Sequence, residues 1–218
     1  MHFLRKCSRK PDRKMRPLTK VEFDLIIKKH IVLNKSILVL RNLCVFIFSY
    51  IAFLRYDDVS QIKWSNVLIV NDEVTIKLLD AKNDKFKIGQ TVRFRLNYVL
   101  LKVFKDYVRL AKLYLVKNDP NVYLFCDVDK TVCSYYKKLS YESMRGLLLN
   151  LCKKAGVSVD KIGTHSLRIG GCTEASKCGV PDYVLDFYGR WALNSTSRAR
   201  YQRVVGEEAL IVSELLNF

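Results

Sequence analysis

His165 and Arg168 stand three residues apart in the run Thr164-His165-Ser166-Leu167-Arg168. On a helix that spacing puts both side chains on one face, where they can meet one small anion. A phosphate suits such a pair: the guanidinium binds two phosphoryl oxygens at once, and the imidazole moves a proton near neutral pH. Taken alone, an H-x-x-R pair is more often a surface ion-pair feature than a site, so its weight depends on what else the chain brings to it. Arg55 is a second candidate. It follows an apolar run, in Phe53-Leu54-Arg55-Tyr56-Asp57-Asp58, and a charge so close to a core must find a partner. Asp58, three residues on, either forms a structural salt bridge with Arg55 or holds it while its fork stays open to a substrate phosphate.

The whole chain favours a phosphate-bearing partner. Its formal charge is +17, from 38 Lys and Arg against 21 Asp and Glu, more than solubility requires. Nucleic acid is the leading partner. An acidic membrane surface is the rival, but the charges are spread along the chain and do not form one face of an amphipathic helix. Residues 1–17 form a basic arm that either touches phosphates, serves as a nuclear-import signal, or is a solvated tail. The lysine-rich stretch from Asp80 to Gln90 is expected to be a DNA-facing turn. The seven cysteines contain no C-x-x-C pair and look like free thiols in a reducing compartment. Three scattered histidines supply no close ligand pair, so no metal is implied. No apolar segment opens the chain, which argues against secretion. The uninterrupted apolar run, Leu43 to Leu54, is too short to span a bilayer and reads as a buried core helix.

These groups need a scaffold, and 218 residues, half of them apolar, provide for one core. The expectation is one domain, residues 18–218, of α+β class: mainly helical, with a small three-stranded antiparallel sheet. Thr19 and Glu22 form a T-x-x-E capping box opening a helix to about Val32, with Val21, Leu25 and Ile26 on its inward face. Tyr56 to Ile62 is a short turn or helix. Strands are predicted at Val67–Val70, at Val74–Leu78 and at Thr91–Leu96, where apolar and polar residues alternate. A helix from Asn97 to about Val116 turns Val99, Leu100, Val103, Phe104, Tyr107 and Val108 inward. Another runs from Ser140 to Ala155, capped by Gly156, and a third from Thr164 to Cys178 closes on Gly179. Shorter helices are expected from Pro181 to about Tyr188, around Arg200 to Val204, and from Glu207 to Leu216.

In the order of these parts the chain resembles the tyrosine recombinases, also called phage-type integrases. That family has an arginine after a buried helix, a lysine in a β-hairpin, an H-x-x-R motif, a histidine or tryptophan, and a tyrosine about ten residues later. The matching positions are Arg55, Lys82 in Lys82-Asn83-Asp84, His165 with Arg168, Trp191 in Gly189-Arg190-Trp191, and Tyr201. The run from His165 to Gly171 and the Gly-Arg-Trp triplet are similar to integrase-like proteins of the DIRS and crypton mobile elements. The resemblance covers residues 18 to 205 and implies the following roles. Tyr201 attacks phosphorus and becomes a 3′-phosphotyrosine, which stores the bond energy, so no metal, ATP or other cofactor is needed. Arg55 and Arg168 clamp the non-bridging oxygens, with Trp191 adding a hydrogen bond to the same phosphate, unless its indole only packs in the core. His165 is the base for the phenol or a partner of the phosphate, and Lys82 protonates the 5′-hydroxyl. Lys85 and Lys87 share the loop of Lys82, while Arg198, Arg200 and Arg203 flank Tyr201; both groups either bind DNA or are solvated cations.

Double-stranded DNA is then the expected partner, with a homo-tetramer on two duplexes and a monomer in its absence. Localisation follows the host: the nucleus in a eukaryote, the cytoplasm otherwise. The apolar end, from Ala209 to Leu216, either docks onto a neighbouring subunit or folds back on its own core. Only a short basic arm precedes Thr19 where the family usually has a helical DNA-binding domain, which makes the chain a fragment, a degenerate copy, or a member that recruits DNA with its arm. Two rivals remain. A type IB topoisomerase uses similar chemistry but usually has lysine where His165 stands, and a decayed or domesticated DNA-binding protein is expected to have lost an active-site residue.

Overall fold

The computed structural model of the chain describes residues 15–33, 36–79, 89–191 and 216. Helix α1 (Lys20–Leu33) opens on the expected box: the Thr19 N–H donates to Glu22 Oε2 at 2.9 Å, and the Glu22 N–H donates to Thr19 Oγ1 at 3.2 Å. Arg16, counted with the arm in the sequence, forks onto the same carboxylate (2.8 and 2.9 Å) and donates to the Ser158 carbonyl at 2.7 Å. The inward face of α1 differs from the expectation. Phe23, Ile26 and Ile27 are buried, while Val21 and Leu25 are exposed. Phe23 sets the rotation by stacking on Phe46 and Tyr50, with ring centroids at 5.1 and 4.4 Å. Positions three and four residues further on then follow it inward.

Helix α2 (Ile37–Ile51), capped by Ser36, is the buried core helix that its apolar run predicts. Phe48 meets Phe94, Phe104 and Phe125 edge-on at 4.9 to 5.3 Å. Burial of each such ring contributes about 1.5–3 kcal/mol, with a further ~0.5–1.5 kcal/mol from the edge geometry. After α3 (Tyr56–Gln61), strands β1 (Val67–Val70), β2 (Glu73–Leu78) and β3 (Gln90–Arg95) form the expected antiparallel sheet in that order, with Val74 opposite Phe94 and Ile76 opposite Val92. Val74, Ile76, Leu78, Val92 and Phe94 all face the core.

Helix α4 (Tyr98–Leu110) stops six residues earlier than expected, and Val99 is exposed. The chain turns at Lys112, whose φ is 50°, into a short 3-10 segment, Leu113–Val116. That turn brings the Leu113 carbonyl to the indole N–H of Trp64 at 2.8 Å, a bond that a straight helix would carry away. A second antiparallel pair, β4 (Cys126–Asp129) with β5 (Val132–Lys138), was not anticipated. Most of β5 is exposed and polar, so it carries no apolar alternation to read. Helices α5 (Tyr141–Lys154), α6 (Thr164–Lys177) and α7 (Asp182–Gly189) fall where expected, with Gly156 and Gly179 at positive φ after α5 and α6.

Of the terminal segment, Leu216 is helical and fully buried, beside a groove lined by Phe23, Ile27 and Ile31 of α1 and by Leu100 of α4. The helices expected around Arg200–Val204 and over 207–215 lie outside the described residues, as does the arm before Met15. Among the described residues, no helix is long and apolar enough to cross a membrane.

Candidate phosphate-binding site

The site is assembled at the C-terminal end of α2. A helix leaves its last carbonyls without intrahelical partners, and they carry the negative end of its dipole. The segment that follows α2 turns sharply at Phe53 (φ 49°), and three side chains from elsewhere in the chain donate into it. The Tyr188 hydroxyl reaches the Ile51 carbonyl at 2.9 Å. Arg190 approaches the Ala52 and Phe53 carbonyls at 3.5 and 3.3 Å. Arg168, 1% exposed, donates through its two terminal nitrogens to the carbonyls of Phe53 and Gly189. The carbonyls thus hold the guanidiniums in place. The buried Nε–H of Arg168 has no partner among the described residues.

Helix α6 delivers His165 and Arg168 because it lies almost on the backbone of α2. A Cβ on Gly171 would stand 2.1 Å from the Tyr50 carbonyl, and one on Gly170 would stand 2.0 Å from the Leu18 carbonyl. Only glycine permits that approach. Gly189 serves Trp191 in the same way. The indole folds back over it, with a ring atom 1.8 Å from where a Cβ would be, and covers the Arg168 guanidinium at 4.2 Å from the ring centroid. Arg55 enters from the first turn of α3. Its backbone N–H donates to Asp58 Oδ2 at 2.9 Å, which fixes the main chain at this corner.

Positive charge is in excess here. Among the described residues, Arg55, Arg168 and Arg190 face a single carboxylate, Asp58, which leaves two positive charges uncompensated. Burial, the neighbouring charges of Arg55 and Arg190, and only partial compensation from Asp58 push the Arg168 pKa well below its ordinary value. Burial, then Arg168, then Arg55 also lower the His165 pKa, so its imidazole is neutral at pH 7 and can accept a proton. An anion placed among these groups would relieve their mutual repulsion.

Four of the six expected chemical residues, Arg55, His165, Arg168 and Trp191, are therefore brought to one place. Lys82 and Tyr201 lie outside the described residues, as do Lys85, Lys87, Arg198, Arg200 and Arg203. Of the two readings of Asp58, the geometry fits the one in which it holds Arg55 and leaves the fork open: Asp58 Oδ2 accepts the Arg55 N–H at 2.9 Å, the guanidinium comes no nearer than 3.9 Å, and Arg190 reaches the same oxygen at 2.9 Å. Arg190 was given no role in the sequence, although the rule applied to Arg55, that a charge next to an apolar helix must find a partner, would have singled it out too.

Residues 18–207 match the family model described as the phage integrase family. The chain belongs to that family. Its fold is shared with a XerH site-specific recombinase bound to a palindromic difH substrate in a post-cleavage complex, at 20% identity over 84% of this chain and 48% of that one, TM-score 0.64. A lambda integrase tetramer bound to a Holliday junction matches at 13% identity over 91% and 51% of the two chains, TM-score 0.55. The Tn1549 transposon integrase in complex with circular intermediate DNA matches at 13% over 87% and 61%, TM-score 0.55. The chain spans about half the length of the XerH recombinase. No curated protein sequence matches it.

Proposed function

We propose that this integrase-family chain is the catalytic domain of a site-specific DNA recombinase that cuts and rejoins duplex DNA through a 3′-phosphotyrosine, in the service of a mobile element. The observation that carries the reading is the convergence of Arg55, Arg168 and neutral His165 on one cationic corner roofed by Trp191. Phosphodiester cleavage needs a nucleophile, neutralisation of charge growing on the phosphoryl oxygens, and a proton for the departing oxygen. Tyr201 supplies the first: its phenolic oxygen bonds to phosphorus as the bond to the 5′ oxygen breaks, and its proton passes to His165. Arg55 and Arg168 meet the non-bridging oxygens, and the two surplus positive charges match the two negative charges of a five-coordinate phosphorus. Lys82 returns a proton to the 5′ oxygen. Lys85, Lys87, Arg198, Arg200 and Arg203 hold the flanking backbone.

A tetramer on two duplexes is the working assembly, a reading supported by the shared fold of the lambda integrase tetramer bound to a Holliday junction. The protein acts where its host keeps DNA, the nucleus in a eukaryote and the cytoplasm in a prokaryote. A nicked suicide substrate tests the reading. The wild-type protein is expected to form a covalent adduct stable in detergent, and Tyr201→Phe to form none. Relaxation of supercoiled plasmid without strand exchange favours a topoisomerase, and DNA binding with no adduct favours a decayed enzyme.

A further inference from the structure

Asp58 is 5% exposed, and a carboxylate buried to that degree needs a cation. Two guanidiniums compete for it. Arg190 lies 2.9 Å from Oδ2 with its side chain 6% exposed, whereas Arg55 lies 3.9 Å away with its side chain 20% exposed. Arg190 is also the more firmly placed. It occupies the left-handed conformation (φ 55°) that ends α7, turns back on its own helix to meet the Tyr188 carbonyl at 3.3 Å, and reaches the Ala52 and Phe53 carbonyls at the end of α2. One side chain thus joins the end of α7, the end of α2 and the start of α3. Asp58 meanwhile holds Arg55 by its backbone N–H and leaves its side chain less engaged.

We propose that Arg190 is a positioning residue: it neutralises Asp58 in place of Arg55 and so keeps the Arg55 guanidinium available for the DNA phosphate. The inference rests on the recombinase reading above for the identity of that phosphate. Without Arg190, the buried carboxylate takes the nearest remaining cation, Arg55, and draws its fork away from the substrate. Neutralising Asp58 as well releases Arg55 again, because an asparagine there still accepts the Arg55 N–H but no longer attracts its guanidinium.

The test compares Arg190→Met, Asp58→Asn and the double variant, which removes both charges of the buried Arg190–Asp58 pair together and is therefore expected to fold better than Arg190→Met. On a nicked suicide duplex, Arg190→Met is expected to slow adduct formation about 100-fold, the loss of one well-placed phosphate donor. The double variant is expected to recover at least about tenfold of that loss, in the range of one restored charge-assisted contact. A double variant no faster than Arg190→Met overturns the proposal, as does an Arg190→Met protein that cleaves at the wild-type rate. A second readout needs no cleavage. Arg55→Ala should barely move the thermal midpoint in the wild-type background but lower it clearly in Arg190→Met, because only there has Asp58 come to depend on Arg55. Equal shifts in both backgrounds overturn the proposal. If the wild-type protein forms no adduct, the recombinase reading fails, and the thermal comparison alone decides the role of Arg190.

Discussion

The imidazole of His165 is pressed toward its neutral form by burial and by the charges of Arg168 and Arg55, which places its folded pKa below the ordinary 6.5. The unfolded chain therefore binds the proton more readily. This group's contribution to stability is fully present above pH 6.5 and is lost as pH falls from there through the lower folded value. Between pH 7.5 and 5.5 the melting temperature of wild type should fall more than that of His165→Gln. The adduct-forming rate should likewise be flat above pH 6.5 and decline on the acid side. Gly189→Ala tests the roof of the site. Its Cβ collides with the indole, so Trp191 must leave Arg168, which is measurable as a change in tryptophan emission together with slower cleavage. At this scale the sequence was legible where one residue type has one dominant use. An arginine next to a core and a histidine one helical turn from an arginine could both be singled out, and the fold places them side by side. The choice of Asp58's partner was not legible, because it depends on two residues 132 positions apart that only the folded chain brings together.

Elements were legible to the extent that their burial pattern is regular. Capping residues Thr19, Asn97 and Ser140 mark true helix starts, and the alternation in β2 and β3 marks a true sheet. The β4–β5 hairpin escaped because solvent faces much of β5, and the end of α4 escaped because a distant bond from Trp64 to Leu113 decides it. The junction of α2 with α6 is the element-scale feature on which the site depends most. Gly171→Ala sets a methyl group against the Tyr50 carbonyl, a backbone atom that cannot swing aside. Overpacking of that kind should cost about 1–3 kcal/mol in urea unfolding. Arg168, one turn earlier on the same helix, should shift with it, so cleavage should fall further than the lost stability accounts for.

At the scale of the whole molecule, the charge of +17 and the surplus cations at the end of α2 act together. Under the proposed function, the first draws a polyanion from a distance and the second receives one phosphate at short range. DNA affinity should therefore fall steeply with salt, by about a thousandfold or more between 50 and 200 mM if six or more phosphates are contacted. Charge swaps within the site should move the cleavage rate more than that salt slope. The measurement closest to the central claim replaces the scissile phosphate with a neutral methylphosphonate. If Arg55 and Arg168 serve to neutralise the phosphoryl oxygens, then Arg55→Ala and Arg168→Ala should cleave the natural diester at least about 100-fold more slowly than wild type. Most of that deficit should disappear on the methylphosphonate, where the charge they answer is gone. An equal deficit on both substrates would contradict the account, because the arginines would then be acting on something other than the phosphate.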